Sequence, residues 1–136
     1  MNGPLFHLFA EAPRPVAPYS HAVEADGWVF LTGQIPNHPD DDEAPIPPGI
    51  EAQTRRTMDN LALVLGGLGL DLSHVVAARV FLTHFDEDYE AMNAVYESCF
   101  PAERRPARTC IGVTALARGV RVEIDFIARR PDSNRR

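Results

Sequence analysis

Two short runs near the C-terminus concentrate the side chains best suited to chemistry: Ala107-Arg108-Thr109-Cys110 and Val122-Glu123-Ile124-Asp125. Strand alternation puts Arg108 and Cys110 on one face of the first run, with Ala107, Thr109, Ile111 and Val113 making a more apolar opposite face. In the second, Val120, Val122, Ile124 and Phe126 share a face, and Arg121, Glu123 and Asp125 share the other. If the two runs form a hairpin centred between Leu116 and Ala117, Cys110 lies opposite Glu123, with Cβ atoms about 5 Å apart. Arg108 then lies one step along, about 7 Å from Cys110. A cation, a thiol and a carboxylate would share one patch. The guanidinium can fork onto a substrate carboxylate, and the carboxylate can take a proton from water. The same residue types also fit a cross-strand ion pair on a solvated sheet face, and a one-residue slip would send Glu123 to the other side.

The elements that must position these residues follow from periodicity. Leu5–Phe9 reads as an edge strand, followed by a loop that Pro13, Pro15 and Pro18 hold extended. Ser20–Ala25 and Trp28–Gln34 read as strands joined at Asp26-Gly27, a pair suited to a tight hairpin turn. Pro36–Pro48 carries five prolines and four acidic residues and reads as a surface loop without chemistry. A helix is expected over Glu51–Gly66, with Thr57, Leu61, Val64, Leu65 and Leu68 inward and Gly66, Gly67 and Gly69 as its stop. Val75–Leu82 reads as a buried strand. A second helix is expected over Asp86–Phe100, with Phe85, Tyr89, Met92, Tyr96 and Cys99 inward and Pro101 after it. Ala107–Val113 and Val120–Ala128 complete the chain as a hairpin. The order β-β-β-α-β-α-β-β implies an α+β sandwich with two helices on one face of a sheet. With 136 residues, no repeat and no composition break, a single domain is expected over residues 1–136.

Composition narrows the chemistry. All 13 basic residues are arginine, which excludes a lysine Schiff base and a P-loop. The five histidines are scattered and the two cysteines form no CxxC pair, so no metal site is expected. A formal charge of −6 argues against binding a phosphate backbone. There is no apolar run near the ~20 residues of a membrane helix and no signal-peptide pattern at Met1–Glu11, so a cytoplasmic protein is expected.

Several motifs together resemble the Rid family, the reactive-intermediate (imine) deaminases once named for an L-PSP endoribonuclease. They are Pro18-Tyr19-Ser20, Thr32-Gly33-Gln34-Ile35-Pro36, Asn93-Ala94-Val95-Tyr96-Glu97, Pro106-Ala107-Arg108-Thr109-Cys110 and Val122-Glu123-Ile124. The likeness runs from about Ala12 to Arg130. It implies a chorismate-mutase-like fold, assembled as a homotrimer around a barrel of sheets, with active sites in clefts between subunits. It implies hydrolysis of 2-imino acids to 2-keto acids and ammonia without a cofactor. The position of Arg108 would hold the ligand carboxylate. Glu123 and the backbone carbonyl of Cys110 would position water, while Tyr19, Gly33 and Asn93 would line the pocket.

The Cys110 thiol reads as pocket lining, since no histidine base is visible beside it, with a nucleophilic or redox role as the alternative. His21 sits where many relatives carry glutamine and is expected at the surface or an interface. Thr32 stands in place of a frequent serine, and Gly112 in place of a larger residue. Four functions compete: the deaminase, a non-catalytic sensor of small carboxylates, the historical ribonuclease, and chorismate mutase, which shares only the fold type.

Overall fold

The computed structural model describes residues 3–132. Its elements are β1 (Leu5–His7), β2 (Ala22–Ala25), β3 (Trp28–Gln34), α1 (Ile50–Gly67), β4 (Val75–Leu82), α2 (Phe85–Glu97), β5 (Ala107–Gly112) and β6 (Val122–Arg129). They form one mixed six-stranded sheet in the order β1-β2-β3-β6-β4-β5, with α1 and α2 packed on one face. The α+β class and the helix pair on one side agree with the sequence expectation.

Alternation explains why the sheet is one-sided. Along β6, Val122, Ile124, Phe126 and Ala128 are buried beneath the helices, while Glu123, Asp125 and Ile127 face the other way. In β3, Val29 and Leu31 face the helices, and Trp28 and Phe30 do not. From α1, Leu61, Val64 and Leu65 meet this layer, and from α2, Met92 and Tyr96 do so. The turn between β2 and β3 forms at Asp26 and Gly27 with φ of 53° and 84°. Both values lie in the left-handed region that a tight hairpin turn needs.

The expected hairpin of the last two strands does not form. β5 pairs in parallel with β4, and β6 inserts between β3 and β4, antiparallel to both. A parallel pair cannot be joined by a tight turn, and α2 supplies the crossover between β4 and β5. Strands adjacent in sequence usually neighbour each other, but here burial decides. β6 buries one entire face and has both edges paired, whereas β5 is a sheet edge with Ala107, Thr109 and Ile111 exposed. The face of β5 that looked more apolar is thus the open one, and the Arg108–Cys110 face is the one covered by helices.

Among the described residues, no helix is long and apolar enough to cross a membrane.

Candidate active site

Strand register separates the three residues that the hairpin would have gathered. Arg108 lies beside Ala78, and Ala78 beside Phe126, both buried in the core; Cys110 likewise neighbours Val80, and Val80 neighbours Ile124. Arg108 and Cys110 therefore belong to the helix face. Glu123 lies beside Phe81 on the opposite face, with β4 between it and β5. Within one chain the guanidinium and the carboxylate sit on opposite sides of the sheet.

Each occupies its own cleft. The first cleft, about 290 Å³, is lined by Asn93, Tyr96, Glu97, Arg105, Pro106 and Arg108. Arg108 Nη1 donates to Asn93 Oδ1 at 2.7 Å, and the guanidinium lies 5.0 Å from the Tyr96 ring centre and 6.0 Å from that of Tyr89. Residues 89, 93 and 96 are one turn apart on α2, so a single helix face presents two aromatic rings and an amide to the cation. This cradle keeps the fork oriented while leaving most of its five N–H donors for a ligand. Tyr89 and Tyr96 read from sequence only as core residues. The signal that could have found them is their i, i+3 and i+4 spacing about Asn93. Burial holds the Tyr96 hydroxyl up to about 12, so it stays protonated. The Cys110 thiol is also pushed up by burial, against a smaller opposing pull from Arg108, and so favours the neutral form.

The second cleft, about 320 Å³, is lined on one wall by Pro13–Ala17 and Tyr19 and on the other by Thr32, Gly33, Gln34 and Glu123. At the β-bulge between Leu31 and Gln34, the Glu123 side chain lies over Gly33. A side chain at position 33 would collide with the Glu123 carboxylate, so only glycine lets this acid lie against β3. Burial pushes the Glu123 carboxyl above its ordinary range; neighbouring Asp125 adds to this and Arg79 opposes it. Asp125 is itself held by Arg79 at 2.7 Å. On the other wall, Tyr19 Oη accepts from the Val16 N–H at 3.2 Å, and Thr32 Oγ1 donates to the Ser20 carbonyl at 2.6 Å. Asp42, in the acidic loop, pairs with Arg14 and Arg118 beside this cleft.

His21 departs from expectation. It is 2% exposed rather than on the surface, with both ring nitrogens engaged. Among the described residues, no group of three or more His, Cys, Asp or Glu side chains is arranged to hold a metal ion.

The comparisons with known proteins agree with this frame. Residues 9–130 match the family described as Endoribonuclease L-PSP. Protein DfrA of Myxococcus xanthus is 44% identical over 120 residues, covering 87% of this chain and 89% of that one. The 2-iminobutanoate/2-iminopropanoate deaminase of Escherichia coli K12 is 33% identical over 121 residues, covering 88% and 92%. The crystal structure of E. coli TdcF with bound serine superposes with a TM-score of 0.84 at 31% identity, covering 93% of this chain and 99% of that one. A shared fold at this identity, the family match over nearly the whole chain and the motifs around Arg108 and Glu123 lead to one conclusion: the chain belongs to the endoribonuclease L-PSP family, that of the Rid proteins.

Proposed function

We propose that this protein hydrolyses 2-imino acids, as released by PLP enzymes, to 2-keto acids and ammonia. The site would be completed between copies of a homotrimer, where the Arg108 cleft of one subunit meets the Glu123 cleft of the next. The observation that carries this reading is the separation of Arg108 and Glu123 onto opposite sheet faces, each in an open, half-formed cleft. A second copy is the economical source of the missing half, since one surface patch can meet a different patch head to tail around a closed ring. The open sheet face offers the contact area, with Phe6, Trp28, Phe30 and Ile111 all exposed by 44% or more.

The chemistry is undemanding of the protein. Arg108, steadied by Asn93 and the two tyrosines, grips the substrate carboxylate and fixes the imine carbon relative to water, a proximity effect. Glu123, desolvated and so more basic than an ordinary carboxylate, takes a proton from the attacking water. The new C–O bond forms as the C=N π pair moves to nitrogen, which takes the proton that Glu123 received from the water. In collapse Glu123 takes the carbinol O–H proton and passes it to the amine, the C=O bond forms as the C–N bond breaks, and ammonia leaves. Cys110 lines the Arg108 side as a neutral thiol and needs no covalent role. The relative named as an imine deaminase and the neighbour holding serine support a small amino- or imino-acid-like ligand.

A coupled assay decides it. Imines are generated in place from several amino acids by an amino acid oxidase, and their hydrolysis is followed with and without the protein. Acceleration that disappears in Arg108→Ala supports the deaminase. Binding of 2-keto acids without any acceleration would leave a carboxylate sensor and overturn the enzyme reading.

A further inference from the structure

The wall of the Glu123 cleft formed by Pro13–Tyr19 contains three prolines and has little regular hydrogen bonding of its own. His21 ties it down. The Phe9 N–H donates to His21 Nδ1 at 2.9 Å, and His21 Nε2 lies 2.7 Å from the Pro13 carbonyl. A backbone carbonyl only accepts, so Nε2 carries the proton; a backbone N–H only donates, so Nδ1 must be bare. The ring is therefore the neutral Nε2–H tautomer. It stacks on Phe9, with centroids 6.1 Å apart and planes within 3°, and Phe9 in turn packs on Gly67 at the end of α1. A second proton, on Nδ1, would point at the Phe9 N–H inside a buried site and leave both donors unsatisfied. The titratable or charged groups around this ring are Arg14, which shares its apolar hollow, and His7, beyond the Phe9 ring and paired with Glu24. β3 meets the His21 backbone through Thr32, whose N–H donates to the His21 carbonyl, and α1 approaches through Gly67 against the far partner Phe9; neither is titratable.

We infer that His21 is a positioning residue for the Glu123 cleft: as a neutral imidazole it clamps Phe9 to Pro13 and so fixes the wall that carries Tyr19, and a second proton, on Nδ1, breaks the Phe9 side of that clamp and loosens the wall. This rests on the deaminase reading only for its catalytic consequence, not for the clamp itself.

The test compares the unaltered chain with His21→Gln and His21→Ala. Glutamine offers an acceptor and a donor, as the ring does, but cannot take up the second proton. Nitrogen-detected NMR should find Nδ1 bare and Nε2 protonated at alkaline pH. In imine hydrolysis, acidification should raise KM of the unaltered chain by about ten-fold, the worth of one hydrogen bond. His21→Gln should hold KM flat, and His21→Ala should show the raised KM at every pH. The fall of kcat in acid, set by Glu123, should be common to all three. An acid rise of KM in His21→Gln equal to that of the unaltered chain would overturn the inference, as would an unperturbed KM in His21→Ala. If His21→Ala does not fold, the glutamine comparison decides alone. If no form hydrolyses imines, the deaminase reading fails and the clamp is read from the Val16 and Tyr19 amide signals. Their displacement on acidification in the unaltered chain, absent in His21→Gln, supports it; equal displacement in both refutes it.

Discussion

Arg108 and Glu123 carry different work and should leave different kinetic marks. If Arg108 touches the carboxylate before and during reaction, as proposed, Arg108→Ala should cost roughly 2–3 kcal/mol, or 30- to 150-fold, largely in KM. Glu123→Gln keeps the shape and removes the base, so kcat should fall about 10²-fold with little change in KM. Because burial raises the Glu123 carboxyl, kcat should be high above that raised value and fall as pH drops through it, at a higher pH than an ordinary glutamate would give. A pH profile whose acid limb sits in the usual carboxylate range would remove Glu123 as the base. Cys110→Ala should keep most activity, and alkylation of the thiol should inhibit by bulk; a loss as deep as that of Arg108→Ala would make the thiol a reacting group. The types of these residues were legible in the sequence, but their surroundings were not. Tyr89 and Tyr96 read as part of an ordinary inward stripe until the strand beneath them is known, and His21 looks like any isolated polar residue until Phe9 and Pro13 close on it.

β3 and its bulge place the acid. Gly33 sits in the bulge where the ladder gains one residue between Leu31 and Gln34, and the Glu123 side chain lies over it. Gly33→Ala should preserve the fold, since the new methyl would meet a mobile carboxylate end rather than backbone, yet push Glu123 off the sheet. The expected result is a kcat loss of about ten-fold or more with an unchanged circular dichroism spectrum; unaltered kcat would mean that the acid does not need this seat. Alternation gave the faces of β6 directly from sequence, because one side of it is apolar throughout. It could not give neighbours. β5 and β6 are joined by a stretch rich enough in turn residues for a hairpin, and only the demand for two paired edges on a strand as buried as β6 moves it between β3 and β4. That same insertion is what divides the site.

The whole molecule, taken as a single chain, holds two separate clefts and an open sheet face with an apolar rim around the Arg79–Asp125 pair. A trimer of about three times the chain's 15.0 kDa is expected in light scattering, and a stable, active monomer would contradict it. The expectation of a trimer rests on the family resemblance and on the alternation of Val120–Phe126, which leaves one sheet face to be covered by other subunits. The most direct measurement mixes two inactive proteins. Arg108→Ala retains Glu123, and Glu123→Gln retains Arg108. Each alone should be nearly inactive. Refolded together at equal amounts, random trimers should place an intact Arg108 cleft against an intact Glu123 cleft in about a quarter of sites and recover about that fraction of the unaltered activity. A mixture no more active than its two components, with trimers confirmed to have exchanged subunits, would show that Arg108 and Glu123 do not act together across an interface.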